Sequence, residues 1–294
     1  MSNALPLLLA AAQPTTQPKA EGIGDLSVFM TSLCGVGICV LAIWLGHGVI
    51  KPSKFKLSGT PGRANTLAPW HILAILIGSL VASSVLVAAI VMLTQANDTA
   101  LTIMAGIAFP TFLSCSLIVA SFCFSGGAVR GLGFTARRWI NDSIRSIVAL
   151  IAVLPVCIAL LLLTKWAMLQ WCPDLIEPHE FLKILTAPAT PPIAKAMIIF
   201  AAVVMAPIGE EIFFRGMMQS MLRRYLGRPW LGVIIASVLF AGVHFPVPES
   251  LPALLALAIA LGYSYERTGR LYAPIMIHML FNAVMIIEAV TNTG

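Results

Sequence analysis

Long runs of uncharged apolar residues constrain the fold of this 294-residue chain most strongly. Residues 71–94 and 101–125 each form such a run without a single Lys, Arg, Asp or Glu. A bilayer core about 30 Å thick needs about 20 apolar residues per helix, and the chain supplies that length repeatedly. Only 10% of its residues are charged, against about a quarter in a soluble domain. A spanning β-barrel would instead show short stretches of alternating polarity, so the sequence predicts an all-α, polytopic membrane helical bundle.

The hydropathy pattern predicts about eight transmembrane helices. They are expected at about 26–46, 71–94, 101–125, 146–169, 196–222, 230–246, 251–266 and 271–290. Residues 1–25, rich in Pro, Thr and Gln after a short apolar stretch, are expected to form a polar N-terminal tail. The chain is therefore expected to be an integral multi-pass cell membrane protein whose main partner is the lipid bilayer.

Charged residues in the connections predict the topology of the bundle. Lys and Arg collect in alternate connections, at 47–70, 126–145, 223–229 and 267–270. The other connections carry mainly acidic residues, which include Asp98, Asp174, Glu177, Glu180 and Glu249. Basic residues favour the cytoplasmic side, so both termini are expected outside the cytoplasm. The net charge of +6 is thereby explained without a nucleic-acid partner.

Ionisable residues within an apolar helix need a reason, because each costs several kcal/mol unless it is paired or hydrated. The segment Glu210–Glu211–Ile212–Phe213–Phe214–Arg215 lies inside what otherwise reads as one helix from Lys195 to Arg223. Glu211 and Arg215 are four residues apart, so they share a helix face and can neutralise one another. Glu210 is rotated by about 100° from that face. We therefore expect its carboxyl group to find a partner on another helix, or water.

Two later spans each carry a polar step of the same kind. Phe240 and His244 are four residues apart, as are His278 and Asn282, so each pair is expected on one helix face. At a rise of ~1.5 Å per residue, Glu210, His244 and Asn282 lie about 18–24 Å from the arginines at the basic end of each span. His278 lies about 12 Å from that end. The first three residues are therefore expected in one layer, with His278 one turn away.

Such a set of side chains suffices for amide hydrolysis. A carboxylate beside an imidazole can take a proton from water and later give one to a leaving amine. A second histidine with an amide supplies donors to the oxyanion that forms when water attacks a carbonyl. Other intramembrane peptidase designs are poorly supported: there is no HExxH, no GxSG, and Asp98, Asp142 and Asp174 are all expected in connections.

The three motifs, in this order, resemble those of a known family. Glu210–Glu211–x–x–x–Arg215, Phe240–x–x–x–His244 and His278–x–x–x–Asn282 are similar to the motifs of the CPBP family. This family comprises the CAAX proteases and bacteriocin-processing enzymes, also described as type II CAAX prenyl endopeptidase-like or Abi proteins. The resemblance covers about residues 195–290 and implies a catalytic helical core there, while the N-terminal transmembrane helices expected at 26–194 rest on hydropathy alone.

The resemblance also implies a role for each matched residue. Glu210 would activate water together with His244, while His278 and Asn282 would form the oxyanion site. Glu211 and Arg215, with Phe240, would support the site by holding the helix and setting the local charge. The implied reaction is glutamate-dependent, metal-independent cleavage of a membrane-presented peptide or protein, lipidated or not, without a cofactor.

Three other interpretations stay open from the sequence. The same residues could serve a non-catalytic membrane scaffold or immunity protein, or a proton-coupled transporter. Two histidines and a glutamate could also bind zinc. In addition, the depth count places the polar layer nearer the outer half of the membrane, whereas the substrates of CAAX proteases are cytoplasmic.

Overall fold

The computed structural model describes residues 56–63, 65–94, 112–119, 131–134, 138–175, 183–185, 187–188 and 190–291, and parts of 32–46. Within these residues the secondary structure is helical and no strand is present. The predicted all-α fold is therefore confirmed for this part of the chain. The predicted tail at 1–25 lies outside the described residues, and the predicted spans at 26–46 and 101–125 are described only in part.

Six helices make up most of the described structure. They are α1 (Pro69–Thr94), α2 (Trp139–Trp171), α3 (Pro192–Leu226), α4 (Pro229–Gly242), α5 (Leu251–Thr268) and α6 (Tyr272–Thr291). Helices α1, α2, α3 and α6 are long and apolar enough to cross a membrane, whereas α4 is apolar but shorter. The protein is thus an integral, multi-pass membrane helical bundle, although the described residues do not establish the predicted number of eight spans.

Proline and glycine mark the ends of these helices. Pro69, Pro192 and Pro229 begin α1, α3 and α4, because a first-turn residue needs no backbone N–H for the helix. Gly227 and Gly269 follow α3 and α5 with φ of 62°, a left-handed conformation that glycine adopts without steric cost. These signals make the connection between α3 and α4 very short, so the two helices pack as neighbours.

Helix α3 is not a regular α-helix, although the sequence reads as one helix from Lys195 to Arg223. Its segments Ala201–Met205 and Ile212–Gln219 are π-helical, and they flank a short α-helical segment, Ala206–Glu211. The Ser220 hydroxyl donates a hydrogen bond to the carbonyl of Arg215, five residues earlier, at 3.1 Å. Such π segments within α-helices are frequent at functional sites. Apolar periodicity alone does not reveal them.

The basic connections meet at one end of the bundle, here called the basic end. It comprises the connection before α1 and those that follow α3 and α5. Arg63 donates to the carbonyl of Gly269 at 2.7 Å, and Arg224 donates to the carbonyl of Asn65 at 3.3 Å. Arg223 donates to the carbonyl of Thr60 at 3.4 Å. The prediction that these connections share one side of the bundle is therefore confirmed.

Two acidic residues at the basic end are buried and paired with arginines, and one of them, Asp142, differs from its predicted setting. Asp142, expected in a connection, lies in the first turn of α2, fully buried, and accepts two 2.6 Å hydrogen bonds from Arg270. This contact with Asp142 raises the pKa of the Arg270 guanidinium. Glu266, read as a residue near a helix end, is fully buried and paired with Arg223. Mean hydropathy does not reveal that such residues are buried, because it counts the charge of each side chain and not the partner that neutralises it.

Candidate active site

Glu211 and Arg215 form the buried ion pair that their spacing predicted. Arg215 donates a hydrogen bond to Glu211 Oε1 at 2.7 Å. The side chain of Arg215 is 1% exposed and that of Glu211 is 0% exposed. The guanidinium also donates to the carbonyl of Ala258 on α5 at 3.2 Å and lies 4.6 Å from the ring centroid of Phe240. The charge pair therefore connects α3 to both α4 and α5.

His278 on α6 lies between the two adjacent carboxyl groups. Its Nδ1 is 3.0 Å from Glu211 Oε1, and its Nε2 is 3.8 Å from Glu210 Oε2. An ionised carboxylate only accepts hydrogen bonds, so Nδ1 carries a hydrogen and donates a hydrogen bond to Glu211 Oε1. This contact sets the orientation of the ring and directs Nε2 toward Glu210.

Glu210 is the exposed member of the pair. Its side chain is 21% exposed, whereas that of Glu211 is fully buried. As expected from its helix face, its partner is on another helix: it interacts electrostatically with His278, and also with His244. The 3.8 Å separation between Glu210 and His278 is too long for a direct hydrogen bond. The carboxylate consequently keeps lone pairs available for a water or a substrate.

His244 is not in a helix, which corrects the prediction for residues 230–246. Helix α4 ends at Gly242, and His244 lies in the turn that follows. The residue before Pro246 is disfavoured in the α conformation, which explains why the helix stops here. His244 Nδ1 still lies 2.9 Å from the carbonyl of Phe240. Since a carbonyl only accepts, Nδ1 donates, and Nε2 remains free to accept a proton.

Phe240 packs at the centre of these groups. Its ring is fully buried, 5.0 Å from the ring of His244 and 5.6 Å from that of His278. It also contacts Phe214 edge to face at 5.1 Å. By contacting both imidazoles and the Arg215 guanidinium, this side chain holds the spacing among them.

Asn282 lies one helical turn beyond His278. Its side-chain Nδ2 donates to the carbonyl of Ala202, in the first π segment of α3, at 2.8 Å. An amide NH₂ has two hydrogens, so one remains available after this bond. The structure therefore brings Glu210, Glu211, Arg215, Phe240, His244 and His278 together, with Asn282 adjacent on α6.

Two contacts of the site were not predicted from the sequence. The first is the Glu211–His278 hydrogen bond, since the depth count had placed His278 one turn off the layer. The second is Asn65, whose side chain donates to the carbonyl of Met217 in the second π segment at 2.7 Å. Within the described part of the chain, no group of three or more His, Cys, Asp or Glu side chains is arranged to hold a metal ion.

Comparison with known proteins places this site within a matched region. Residues 192–284 match the family model described as type II CAAX prenyl endopeptidase Rce1-like. The chain is also similar to an uncharacterized 24.3 kDa protein of Escherichia coli, with 34% identity over 79 residues, 26% of this chain and 36% of that protein. It is 29% identical over 130 residues to the uncharacterized protein YpbD of Bacillus subtilis, 42% of this chain and 61% of that protein. No solved structure matches.

Proposed function

We propose that the protein is an intramembrane endopeptidase that uses Glu210 and His244 to activate water, because residues 192–284 match the model of the Rce1-like type II CAAX prenyl endopeptidases. One observation carries this proposal. Glu210 is a partly exposed carboxylate held beside two histidines, while the adjacent Glu211 is buried and neutralised by Arg215. Two neighbouring carboxyl groups therefore have different environments, one suited to proton transfer and one to support.

In the proposed first step, Glu210 removes a proton from water as the water oxygen attacks the peptide carbonyl carbon. The new C–O bond forms, and the carbonyl oxygen becomes an oxyanion. His244 Nε2, left as an acceptor by the bond from Nδ1 to Phe240, positions the same water. General-base groups of this kind contribute about 10²–10⁴-fold to the rate.

The placement of His278 supports a second role for this residue. Its Nε2 lies beside Glu210, 3.8 Å from Oε2, where an Nε2–H group would face the same substrate carbonyl. That N–H can donate to the oxyanion, as donors in such sites do. Glu211 acts as the positioning residue, because it holds Nδ1 at 3.0 Å.

Asn282 supplies a second donor in this proposal. One hydrogen of its amide is bound to the Ala202 carbonyl, which fixes the amide plane and leaves the other hydrogen for the oxyanion. In the second step the C–N bond breaks, and Glu210 returns its proton to the leaving amine. No covalent bond to the enzyme forms, and the residues described need neither a metal nor a cofactor for these steps.

The proposed substrate is a peptide or protein segment presented by the membrane, with or without a lipid group. The proposed catalytic core comprises residues 195–290, and the helices at 26–194 would complete the membrane domain. The apolar exterior of the bundle supports a substrate that reaches the site from the bilayer: large side chains such as Leu80 and Val238 are 69% and 52% exposed.

The test is cleavage of a quenched fluorescent peptide library, prenylated and unprenylated, by purified protein in nanodiscs. Wild type is compared with Glu210→Gln and His244→Ala, each with and without a chelator. Glu288→Gln on α6 is the matched control, because it makes the same carboxyl-to-amide change away from the site. We expect cleavage that resists the chelator, persists in the control and falls about 10²–10⁴-fold in both site variants. Unchanged cleavage in Glu210→Gln would contradict the proposal.

A further inference from the structure

Three polar side chains of α3, spaced four residues apart, contact α5 in a constant register. The contacts, here called the α3–α5 ladder, join Arg215 to the carbonyl of Ala258, Gln219 to the carbonyl of Gly262, and Arg223 to the carboxylate of Glu266. Each joins residues 43 positions apart in the chain, because both helices run toward the basic end. The first contact belongs to the site, since Arg215 is the partner of Glu211. The other two continue the ladder away from the site.

The second contact of the ladder is a close fit between the two helices. The Gln219 side chain is fully buried and donates to the carbonyl of Gly262 at 3.0 Å. A methyl group at Gly262 would lie 2.8 Å from Gln219 Oε1 and 3.0 Å from Val233 Cγ1, so α5 leaves room for the amide but not for a larger residue. An apolar side chain could fill a buried space at less desolvation cost. The amide therefore specifies the register of the two helices more than it adds stability.

The third contact anchors the ladder at the basic end. Glu266 is fully buried, and both of its oxygens have partners: Gln219 donates to one at 3.1 Å, and Arg223 pairs with the other. Arg223 also donates to the carbonyl of Thr60 at 3.4 Å. Gly62 packs against the ion pair so closely that a methyl group there would collide with both charged groups. The backbone of the connection before α1 thus holds this contact in place.

The segment of α3 that carries the two catalytic-site glutamates depends on such external contacts. This segment, Ala206–Glu211, lies between two π segments, and helices bend at π turns. It also contains Pro207, which has no backbone N–H for a helix hydrogen bond. Arg215 and Gln219 both belong to the second π segment. The ladder therefore fixes the part of α3 from which the glutamates extend toward α6.

We propose that Gln219 and Glu266 are positioning residues of the site, which hold the second π segment in register with α5 and thereby keep the two glutamates in place against His278. Neither residue contacts the site itself. They act through Arg215 and Glu211, whose Oε1 lies 3.0 Å from His278 Nδ1. The inference rests on the proposed peptidase function for its effect on rate, where a misplacement of about 1 Å can cost about 10²-fold.

The first test measures kcat and KM for a peptide selected from the library, in nanodiscs and well below the Tm of each variant. Gln219→Met removes the amide, Gly262→Ala displaces it while every polar group stays, and Glu266→Gln removes the carboxylate. The matched controls make the same changes outside the ladder and are Gln170→Met, Gly78→Ala and Glu288→Gln. A methyl group at Gly78 would meet no atom within 4 Å.

The ladder variants are expected to lower kcat by about 10–10²-fold at an unchanged KM, and the controls are expected to match wild type. Gly262→Ala is the mildest change, so it tests the inference even if a second variant fails to fold. A lower Tm with wild-type kcat in the ladder variants would overturn the inference, because it would show that the ladder only stabilises the bundle.

The second test does not depend on activity. NMR of protein with isotope-labelled histidine reports the Nδ1 of His278, whose signal is identified by its loss in His278→Gln. This signal is expected to shift in Gln219→Met and Gly262→Ala and to stay unchanged in the controls. An unchanged signal in both ladder variants would overturn the inference. If wild type cleaves no peptide, the proposed function is refuted, while the His278 signal still decides whether the ladder positions the site.

Discussion

Replacing each of the two adjacent glutamates by glutamine is expected to give effects of very different size on stability. Glu211→Gln removes the carboxylate that Arg215 contacts at 2.7 Å and leaves a guanidinium that is 1% exposed without its counter-charge. Breaking a buried ion pair on one side costs about 3–5 kcal/mol. Glu210→Gln removes a carboxylate that is 21% exposed and has no direct hydrogen bond to His278. That change is expected to alter the free energy of unfolding by less than about 1 kcal/mol.

The assay is thermal unfolding of the purified protein in detergent, followed by tryptophan fluorescence. At about 2–4 °C per kcal/mol, Glu211→Gln is expected to lower Tm by about 10 °C, whereas Glu210→Gln stays within about 4 °C of wild type. Both variants are expected to lose peptidase activity, because one removes the base and the other releases the Nδ1 contact of His278.

A rescue variant separates the cost of the unpaired charge from the loss of packing. Arg215→Met in the Glu211→Gln background removes the remaining charge, so no buried ion is left without a counter-charge. The double variant is therefore expected to be more stable than Glu211→Gln alone. Equal Tm values for Glu210→Gln and Glu211→Gln would refute the assignment of Glu211 as the buried, paired carboxylate.

Two further predictions concern contacts that hold the bundle around the site. Asn65→Ala removes the hydrogen bonds that this buried amide makes to the Met217 carbonyl and to the Leu67 N–H, and it is expected to cost about 1–3 kcal/mol and to lower kcat. Asn141→Ala, at an exposed position on α2, is the control for both measurements. Arg270→Ala leaves Asp142 buried without its two hydrogen bonds and is expected to cost about 3–5 kcal/mol. The control is Arg267→Ala, at an exposed neighbouring position, and this variant is expected to unfold at the wild-type temperature. An equal loss of stability in Arg270→Ala and Arg267→Ala would contradict a specific role for the pair of Asp142 and Arg270.

Local helix geometry explains which parts of the site were predictable from the sequence. The spacing of Glu211 and Arg215 lies within one helix, so periodicity was sufficient to pair them. The bridge from His278 to both carboxyl groups depends on how α6 packs against α3, including tilt, which a count along each helix does not contain. The depth count therefore placed His278 one turn from where the structure has it.

Other differences have identifiable physical causes. The end of α4 before His244 could have been predicted from Pro246, because a proline disfavours helix at the preceding residue. The burial of Asp142 and Glu266 could not, since hydropathy records the charge of a side chain but not its partner across the bundle. The π segments of α3 likewise leave no mark in apolar periodicity, although they frame the two glutamates.

The central claim is that Glu210 is the base of a metal-independent peptidase. Its most direct test is the initial rate of peptide cleavage by Glu210→Gln, in nanodiscs with a chelator present, beside wild type and Glu288→Gln under the same conditions. The claim predicts chelator-resistant cleavage by wild type and the control, and a rate about 10²–10⁴-fold lower for Glu210→Gln at an unchanged Tm. Cleavage abolished by the chelator, or retained in Glu210→Gln, would contradict it.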